Sequence, residues 1–265
     1  MKLFTPAERA VAQKDFRETW GSKMARGTIV MVPLIMAVVL PIVFLVLIYT
    51  VPTSEMNGVD RMMKLLPKEA SAFDMRQSMF YLMVNTIAPM FFLLVPLMCS
   101  SVTAACSFVG EKERGTLETL LLTPLSLRQI FKAKVLGCMS LSAITTAISF
   151  AAFAVVISVG DILLGMPFFL NWNWLVLLFL LAPGLTIFGV VFMVLISGKS
   201  KSYTESVQTS GYLVLPPILL FAGQFTGLFQ LNALILLFVS LFVFAADAVA
   251  WFFAARSFRP EKLLR

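Results

Sequence analysis

The sequence has no histidine and few charged residues. Of its 265 residues only 13% are Asp, Glu, Lys or Arg, whereas 59% are hydrophobic. The missing histidine removes the usual proton carrier near neutral pH and the commonest metal ligand. Cys99, Cys106 and Cys138 form neither a CxxC pair nor a disulfide framework, so we expect small buried thiols. Since a chain this apolar has more hydrophobic surface than one soluble core can bury, the bilayer is its expected solvent.

Six apolar runs are long enough to cross a membrane, because a spanning helix needs about 20 mostly apolar residues. They cover residues 28–50, 79–109, 130–159, 174–196, 211–228 and 231–255. The second and third runs are long, so their ends should project from the membrane or tilt. Pro216 and Pro217 predict a kink in the fifth run. Residues 223–232 could form a tight outer turn or a re-entrant segment. The predicted fold class is an all-α polytopic membrane protein with six transmembrane helices.

The positions of Lys and Arg predict the orientation of the spans. Most of the 21 basic residues precede the first span, follow the sixth, or lie in the second and fourth loops. In the first loop, residues 51–78, basic and acidic residues are balanced. Because basic residues favour the cytoplasmic side, both termini and the even-numbered loops should be cytoplasmic, in a prokaryotic plasma membrane. The net charge of +7 is then mostly a topology signal, and we predict no nucleic-acid partner.

Residues 1–27 predict an amphipathic helix ahead of the first span. Thr5 suits the N-cap, Pro6 suits the first helical position, and Glu8 completes a capping box. Phe16, Trp20 and Met24 recur every four residues, which places them on one face among basic neighbours. Such a helix is expected to lie in the cytoplasmic membrane interface. It is either a simple anchor or an elbow that moves with the first span.

The loop 110–129 holds a second polar element between two apolar runs. Gly110 should end or bend the second span, because charged residues follow it at once. Thr116 suits the cap of a short helix whose leucines 117, 120 and 121 share one side. Thr123-Pro124 should stop that helix and start the next, with Thr as cap. The loop is either an ordinary amphipathic helix or an element on which a partner pushes.

Ionisable side chains are rare within the spans. Asp247, in the sixth run, is the one clear ionisable candidate, and we expect it to form a structural hydrogen bond. Asn85 and Gln224 could line a polar path in the outer half of the membrane. The chain also contains 15 methionines and 25 phenylalanines, which could line a flexible apolar cavity or face lipid.

A Gly-Lys-Ser triplet at residues 198–200 looks like the end of a P-loop. A P-loop also needs a glycine five positions before Gly198, where this chain has Met193. The chain is therefore not expected to bind ATP or to be an enzyme. A membrane-embedded enzyme is further disfavoured, because there is no His or Cys cluster and no carboxylate pair near the bilayer.

The stretch FVGEKERGTLETLLLTPLSLRQIFKAK, residues 108–134, closely resembles the cytoplasmic loop of type-2 ABC-transporter permeases. That family's signature is an acidic–basic cluster, then Gly-Thr-Leu-Glu, a leucine run, Thr-Pro and a Lys beginning the third span. The matching residues are Glu111, Glu113, Gly115, Thr116, Leu117, Glu118, Thr123, Pro124 and Lys134. SGKSKSYTESVQ is similar to the family's second cytoplasmic loop, and ARSFRPEKLLR to its tail. The short outer segment 51–78 departs from the pattern, since many relatives carry a large outer domain there.

The resemblance implies the ABCG-like, or type V, exporter architecture. Two six-span permease subunits, identical or paralogous, would pair in the bilayer. Each would rest on a cytoplasmic ATP-binding subunit, which would hold ATP and Mg²⁺; no cofactor or metal is expected on this chain. Residues 1–27 would be the elbow helix, and residues 28–265 the permease domain with its coupling helix in loop 110–129. The residues thereby assigned to ATPase coupling are Glu111, Glu113, Gly115, Thr116, Leu117, Glu118, Leu121, Thr123 and Pro124.

The same architecture places the elbow beside the coupling helix. We therefore hypothesise that Glu111 or Glu113 pairs with Lys14 or Arg17 of the elbow. Reversing one of these charges should damage coupling, and reversing both should restore it.

The function expected from the resemblance is that of the membrane-spanning subunit of an exporter, which moves its substrate by alternating access. Two alternatives stay open: a transporter driven by an ion gradient, and a non-transporting assembly or sensor subunit. The substrate class also stays open, with lipids, drugs, peptides and sodium as candidates.

Overall fold

The computed structural model describes residues 5–51, 73–198, 200, 202–226 and 232–257. Several expectations fall outside these residues: most of the outer loop 51–78, the turn at 227–231, the tail beyond residue 257, and Lys199 and Lys201. The side chains of Leu117, Glu118 and Leu121 also lie outside the description. Within it, the chain forms helices and turns and no strand.

Eight helices organise the described residues, six of which are long and apolar enough to span a membrane. The all-α, six-span fold class is thereby confirmed. The elbow is α1 (Pro6–Gly21), and the short cytoplasmic helix is α4 (Thr116–Leu121). The six spanning helices are α2 (Lys23–Thr50), α3 (Met75–Glu113), α5 (Leu127–Leu164), α6 (Trp172–Ser197), α7 (Tyr203–Gln224) and α8 (Ala233–Ser257).

Helix α3 is the centre of the bundle. It packs against α2, α5, α6 and α7. In its most apolar 18-residue stretch, 72% of the residues are buried within the chain, whereas the corresponding share for α8 is 17%. Helix α6 approaches it most closely at Gly189, where a Cβ atom would lie 2.2 Å from Ser100 Oγ. A glycine is needed at that position because small residues let two membrane helices approach backbone to backbone.

Three prolines coincide with widened, π-helical turns in the spans. These turns are Ile35–Val39, Met83–Ile87 and Leu177–Leu181, and each ends two residues before a proline. A proline ring clashes with the carbonyl four residues earlier, which here is the middle residue of each wide turn. The widened turn accommodates the ring, so the helix continues through the proline.

Two predicted helix ends are wrong. Of the two alternatives for Gly110, an end or a bend of the second span, the end is wrong, because α3 continues through Gly110 to Glu113. Helix α5 begins at Leu127 rather than at Pro124, because Ser126 is its N-cap and forms a capping box with Gln129. Leu127–Leu164 is 38 residues long, or about 57 Å at helical rise, so α5 extends well beyond the hydrocarbon layer, as its length predicted.

Helix α7 begins eight residues earlier than the apolar run indicated. Polar residues from Tyr203 to Ser210 form its first two turns, with Ser202 as N-cap. A tighter 3₁₀ turn, Gly211–Val214, lies directly before Pro216 and Pro217. The change of helix type therefore falls where the two prolines predicted a disturbance.

Candidate functional site

The elbow helix α1 buries its polar face against the bundle. Its start is the predicted capping box: Thr5 Oγ1 accepts from the Glu8 N–H at 3.3 Å, and Glu8 Oε2 accepts from the Thr5 N–H at 2.7 Å. Asp15 and Thr19 are buried on one side, whereas Phe16 is 46% exposed and Trp20 is 44% exposed on the other. The two rings stack with centroids 6.2 Å apart. This arrangement suits a helix in the membrane interface, with aromatic rings towards lipid.

Lys134 is the centre of a buried polar cluster where α1, α3 and α5 meet. Its side chain is 0% exposed, and its ammonium donates to the Ser107 carbonyl at 2.9 Å. It also lies 2.8 Å from Glu111 Oε2 and 3.4 Å from Asp15 Oδ2. Ser107, in the π-helical turn Ala105–Val109, donates its hydroxyl to Asp15 at 2.6 Å. Wide turns of this kind are frequent at functional sites.

The cluster continues towards the surface through three further charged residues. Lys14 Nζ lies 2.6 Å from Glu111 Oε1 and 3.4 Å from Glu18 Oε1. Arg114 Nη2 in turn lies 2.7 Å from Glu18 Oε2. The six members are Lys14, Asp15, Glu18, Glu111, Arg114 and Lys134, which we call the charge cluster. Its three cations and three anions balance, and each of the three buried members, Asp15, Glu111 and Lys134, has a counter-charge within it.

In this cluster, burial and the neighbouring charges shift the pKa values of Asp15 and Lys14 in opposite directions. Burial raises the pKa of Asp15 above its ordinary value, although the Lys134 ammonium and the Ser107 hydroxyl lower it. Burial lowers the pKa of Lys14, but the hydrogen bond to Glu111 and the neighbouring carboxylates outweigh it, so the pKa of Lys14 lies above its ordinary value. Lys14 of the elbow is therefore kept in its charged form beside Glu111 of α3.

One of the four hypothesised elbow pairs is present, the contact of Lys14 with Glu111. Arg17 is exposed and makes no ion pair within the described part of the chain. Glu113 turns away from the elbow, since its Oε2 accepts from the Tyr203 N–H at 2.9 Å at the start of α7. The C-terminal end of α3 is thus tied to α1 through Glu111 and to α7 through Glu113. The role of either contact in coupling stays a prediction.

The turn into α4 depends on Gly115, which has φ +67°. Only glycine adopts this left-handed conformation without steric cost. Thr116 is the first helical residue and donates its hydroxyl to the Glu111 carbonyl at 3.4 Å, so it does not act as the expected N-cap. Thr123 closes the other end, because its hydroxyl donates to the Leu120 carbonyl at 2.7 Å.

Helix α4 is fixed to the elbow on one side and exposed on the other. Leu120 is buried in a small cluster with Val11 of α1 and with Ile130 and Ala133 of α5. Leu122, directly after the helix, is 86% exposed. Leu122 thus adds apolar surface at the end of α4 that no described residue covers.

Three carboxylates of the charge cluster come close enough to resemble a metal site. Oxygens of Asp15, Glu18 and Glu111 lie within 4.8 Å of one another. Lys14 and Lys134 already neutralise these oxygens at 2.6–3.4 Å. The chemistry of this donor set is that of an ion-pair network rather than of a cation-binding cage.

Among the described residues, the intramembrane candidates Asn85, Gln224 and Asp247 are not hydrogen-bonded to one another. Asn85 accepts a hydrogen bond from the Asn171 amide, and its own amide donates to the Tyr81 carbonyl at 3.1 Å. Gln224 is buried in α7, and its Oε1 has no hydrogen-bond partner among the described residues. Asp247 is 3% exposed, and neither of its carboxylate oxygens has a partner there. The expected structural hydrogen bond of Asp247 is therefore wrong for the described residues.

Sequence reasoning missed half of the charge cluster. Asp15, Glu18 and Arg114 were not singled out as site residues, nor was the neighbouring Ser107, and Lys134 was noted only as part of a motif. The available signal was the spacing of Val11, Asp15 and Thr19, which places two polar residues on one helical stripe opposite the aromatic face. A polar stripe opposite an apolar one is usually solvated, so the spacing alone does not reveal that this stripe is buried.

Comparison with known proteins agrees with this geometry. The sequence model of a family described as ABC-2 family transporter protein matches residues 9–258, which includes all six spans and the charge cluster. No curated protein matches the chain. The match over nearly the whole chain and the six apolar helices lead to one conclusion: the chain belongs to the ABC-2 transporter family, whose members are membrane-spanning permease subunits that typically work with a separate ATP-binding subunit.

Proposed function

We propose that this chain is the permease subunit of an ABC exporter, in which a partner ATPase drives alternating access of the membrane path. The observation that carries the proposal is the charge cluster, because it fastens α1, α3 and α5 together directly behind α4. An isolated loop helix would need no such support. Buried ion pairs add little net stability but fix one arrangement of the groups, which suits an element that must transmit a displacement.

In this proposal α4 is the coupling helix. Leu122 lies at its exposed end, where a groove of the ATPase would receive it. A push on α4 reaches α1 and α5 through Leu120 and reaches α7 through Glu113. ATP and Mg²⁺ are bound by the partner. A second permease copy or paralogue completes the path across a plasma membrane, with both termini in the cytoplasm.

The first experiment is co-purification of the full chain from its native membrane. A P-loop ATPase should be recovered with it, and ATP hydrolysis by the complex should respond to the permease. Leu122→Ser should weaken ATPase binding about tenfold, because burial of one leucine side chain contributes roughly 1.5–3 kcal/mol. Leu163→Ser is the matched control, since Leu163 is also exposed but lies at the other end of α5. Purified chain that transports without any ATPase would refute the proposal.

One observation favours the ion-gradient alternative, and it is Asp247. Asp247 is buried in a spanning helix and has no hydrogen-bond partner among the residues that the structure describes. Buried carboxyl groups in spanning helices are a feature of proton- and ion-coupled transporters. Under the exporter proposal, Asp247→Asn leaves ATP-driven transport insensitive to a protonophore, as in wild type. The ion-gradient alternative is correct if a protonophore abolishes transport by the wild-type protein and if the Asp247→Asn substitution alone also abolishes transport.

A further inference from the structure

A groove of about 380 Å³ lies between the elbow and two spanning helices, on the side opposite the charge cluster. Its walls are Phe16 and Trp20 of α1, Val30 and Leu34 of α2, and Ile144 and Ile148 of α5. All six side chains are between 44% and 66% exposed. An apolar groove bordered by an interfacial helix opens towards the acyl chains of the nearer leaflet.

Three exposed cations of α1 and α2 lie close in sequence to the residues that line this groove. Arg17, Lys23 and Arg26 are exposed, and none makes an ion pair in the part of the chain that the structure describes. Arg26 precedes Val30 by four residues, and Lys23 precedes it by seven, so both lie on the groove-lining stripe of α2. Arg17 lies one turn before Trp20. By contrast, Lys14, Arg114 and Lys134 on the other side are all paired.

The apolar walls and the nearby cations together determine which kind of molecule can bind in the groove. A soluble anion would pair with the cations but leave the apolar walls uncovered, and an uncharged lipid would cover the walls but leave the cations unpaired. Only a molecule with an acyl chain and an anionic head group satisfies both. Basic pockets between membrane helices on the cytoplasmic side bind anionic phospholipid head groups in this way.

We infer that one anionic phospholipid of the cytoplasmic leaflet binds in this groove, with its acyl chain between α1, α2 and α5 and its phosphate at Arg17 and Arg26. The bound lipid supports the elbow from the side opposite Asp15. The inference requires the proposed orientation of the chain but no ATPase, so it can fail while the exporter proposal stands.

Native mass spectrometry of the purified full chain tests the inference. The protein is delipidated and then offered phosphatidylglycerol or phosphatidylcholine with identical acyl chains. We expect one phosphatidylglycerol to survive mild activation and phosphatidylcholine to be lost. Arg17→Gln with Arg26→Gln should weaken phosphatidylglycerol binding roughly thirty-fold, since each basic residue near an anionic membrane contributes about one factor of five. Val30→Trp should fill the groove and also remove the bound lipid.

Matched controls separate a specific site from general charge or bulk. Arg128→Gln with Lys132→Gln removes two exposed positive charges from the first turns of α5 and should leave binding unchanged. Val155→Trp adds the same ring to an exposed position of α5 outside the groove and should also leave it unchanged. Equal retention of both lipids, equal loss in a control variant, or displacement of the lipid by millimolar inorganic phosphate would each overturn the inference. Circular dichroism confirms that every variant remains helical.

Discussion

Lys134 shows how a single residue can decide the arrangement of three helices. It is fully buried, and its partners come from α1 and α3 while it belongs to α5. Removing one partner of a buried ionic group leaves the other charges uncompensated, which costs about 3–5 kcal/mol. Replacing Lys134 is therefore expected to destabilise the protein strongly, although the intact ion pairs themselves add little to its stability.

The first prediction concerns that cost. Lys134→Met should lower the unfolding free energy of the purified protein by about 3–5 kcal/mol, because Asp15 and Glu111 are left without their shared cation. Thermal unfolding followed by circular dichroism in nanodiscs measures the effect. Lys132→Met, at an exposed position two residues earlier, should change little. Adding Glu111→Gln to Lys134→Met should recover part of the loss, and no recovery would contradict this account of the cluster.

The second prediction is a pH dependence at Lys14. Because the pKa of Lys14 is raised above its ordinary value of 10.5, the stabilisation it gives is complete below that value. It is lost as the pH rises through the higher pKa of the folded protein. The elbow should therefore move away from α4 at strongly alkaline pH. Distances between spin labels at positions 13 and 119, measured from about pH 9 to about pH 12, report this movement.

Lys14→Arg is the control for the pH experiment, since arginine stays charged throughout that range. A movement that persists unchanged in this variant would show that another group titrates. The structure also changes the expected outcome of the double charge reversal at Lys14 and Glu111. A basic residue at position 111 would face Lys134 at about the distance where Glu111 now pairs with it, so only partial restoration is expected.

At the scale of single elements, α4 illustrates what a sequence motif does and does not contain. The Gly-Thr-Leu-Glu pattern predicted a short helix after the second span, and the helix is there. The ends of the neighbouring helices were misplaced, because α3 continues to Glu113 and α5 is capped by Ser126 rather than by Thr123. Helix ends depend on which side chains reach the free backbone groups, and Ser, Thr and Pro near a boundary offer several solutions.

The third prediction concerns Gly115 at the start of α4. Gly115→Ala should cost about 1–2 kcal/mol, because a side chain disfavours φ +67°, and Gly115→Pro should cost more because its φ is fixed near −65°. Both should lower ATPase binding or ATPase-coupled transport, since α4 is displaced. Gly165→Ala is a matched control at the other end of α5, with φ +63°. It should lose similar stability and keep coupling; equal loss of coupling would argue against α4 as the contact site.

At the scale of the whole molecule, the number, nature and order of the spans followed from composition and hydropathy, because the bilayer requires long apolar helices. The contact of Lys14 with Glu111 was one of four pairs that the motif allowed. The burial of Asp15 and Lys134 could not be predicted, since it depends on how α1 and α5 pack, and that packing joins segments far apart in sequence. The unpartnered state of Asp247 depends on the same long-range packing.

The fourth prediction tests the orientation of the whole chain. The three native cysteines are buried, so they should react slowly with a membrane-impermeant maleimide. Thr119→Cys, exposed on α4, should react only from the cytoplasmic side, and Phe168→Cys, exposed after α5, only from the opposite side. Labelling of right-side-out and inverted vesicles distinguishes the two faces. The reverse pattern would show that the basic residues do not determine the topology.

The charge cluster also sets an order of assembly during synthesis. Asp15 leaves the ribosome 119 residues before Lys134, which is its only buried counter-charge in the cluster. Until the base of α5 has been made, Asp15 therefore has a desolvation cost without its buried cation, although Lys14 and Glu18 of the elbow can already pair with Glu111 and Arg114. Complete burial of Asp15 must await the third span. A nascent chain arrested before residue 127 should consequently hold a less protected elbow than the full chain, which limited proteolysis measures.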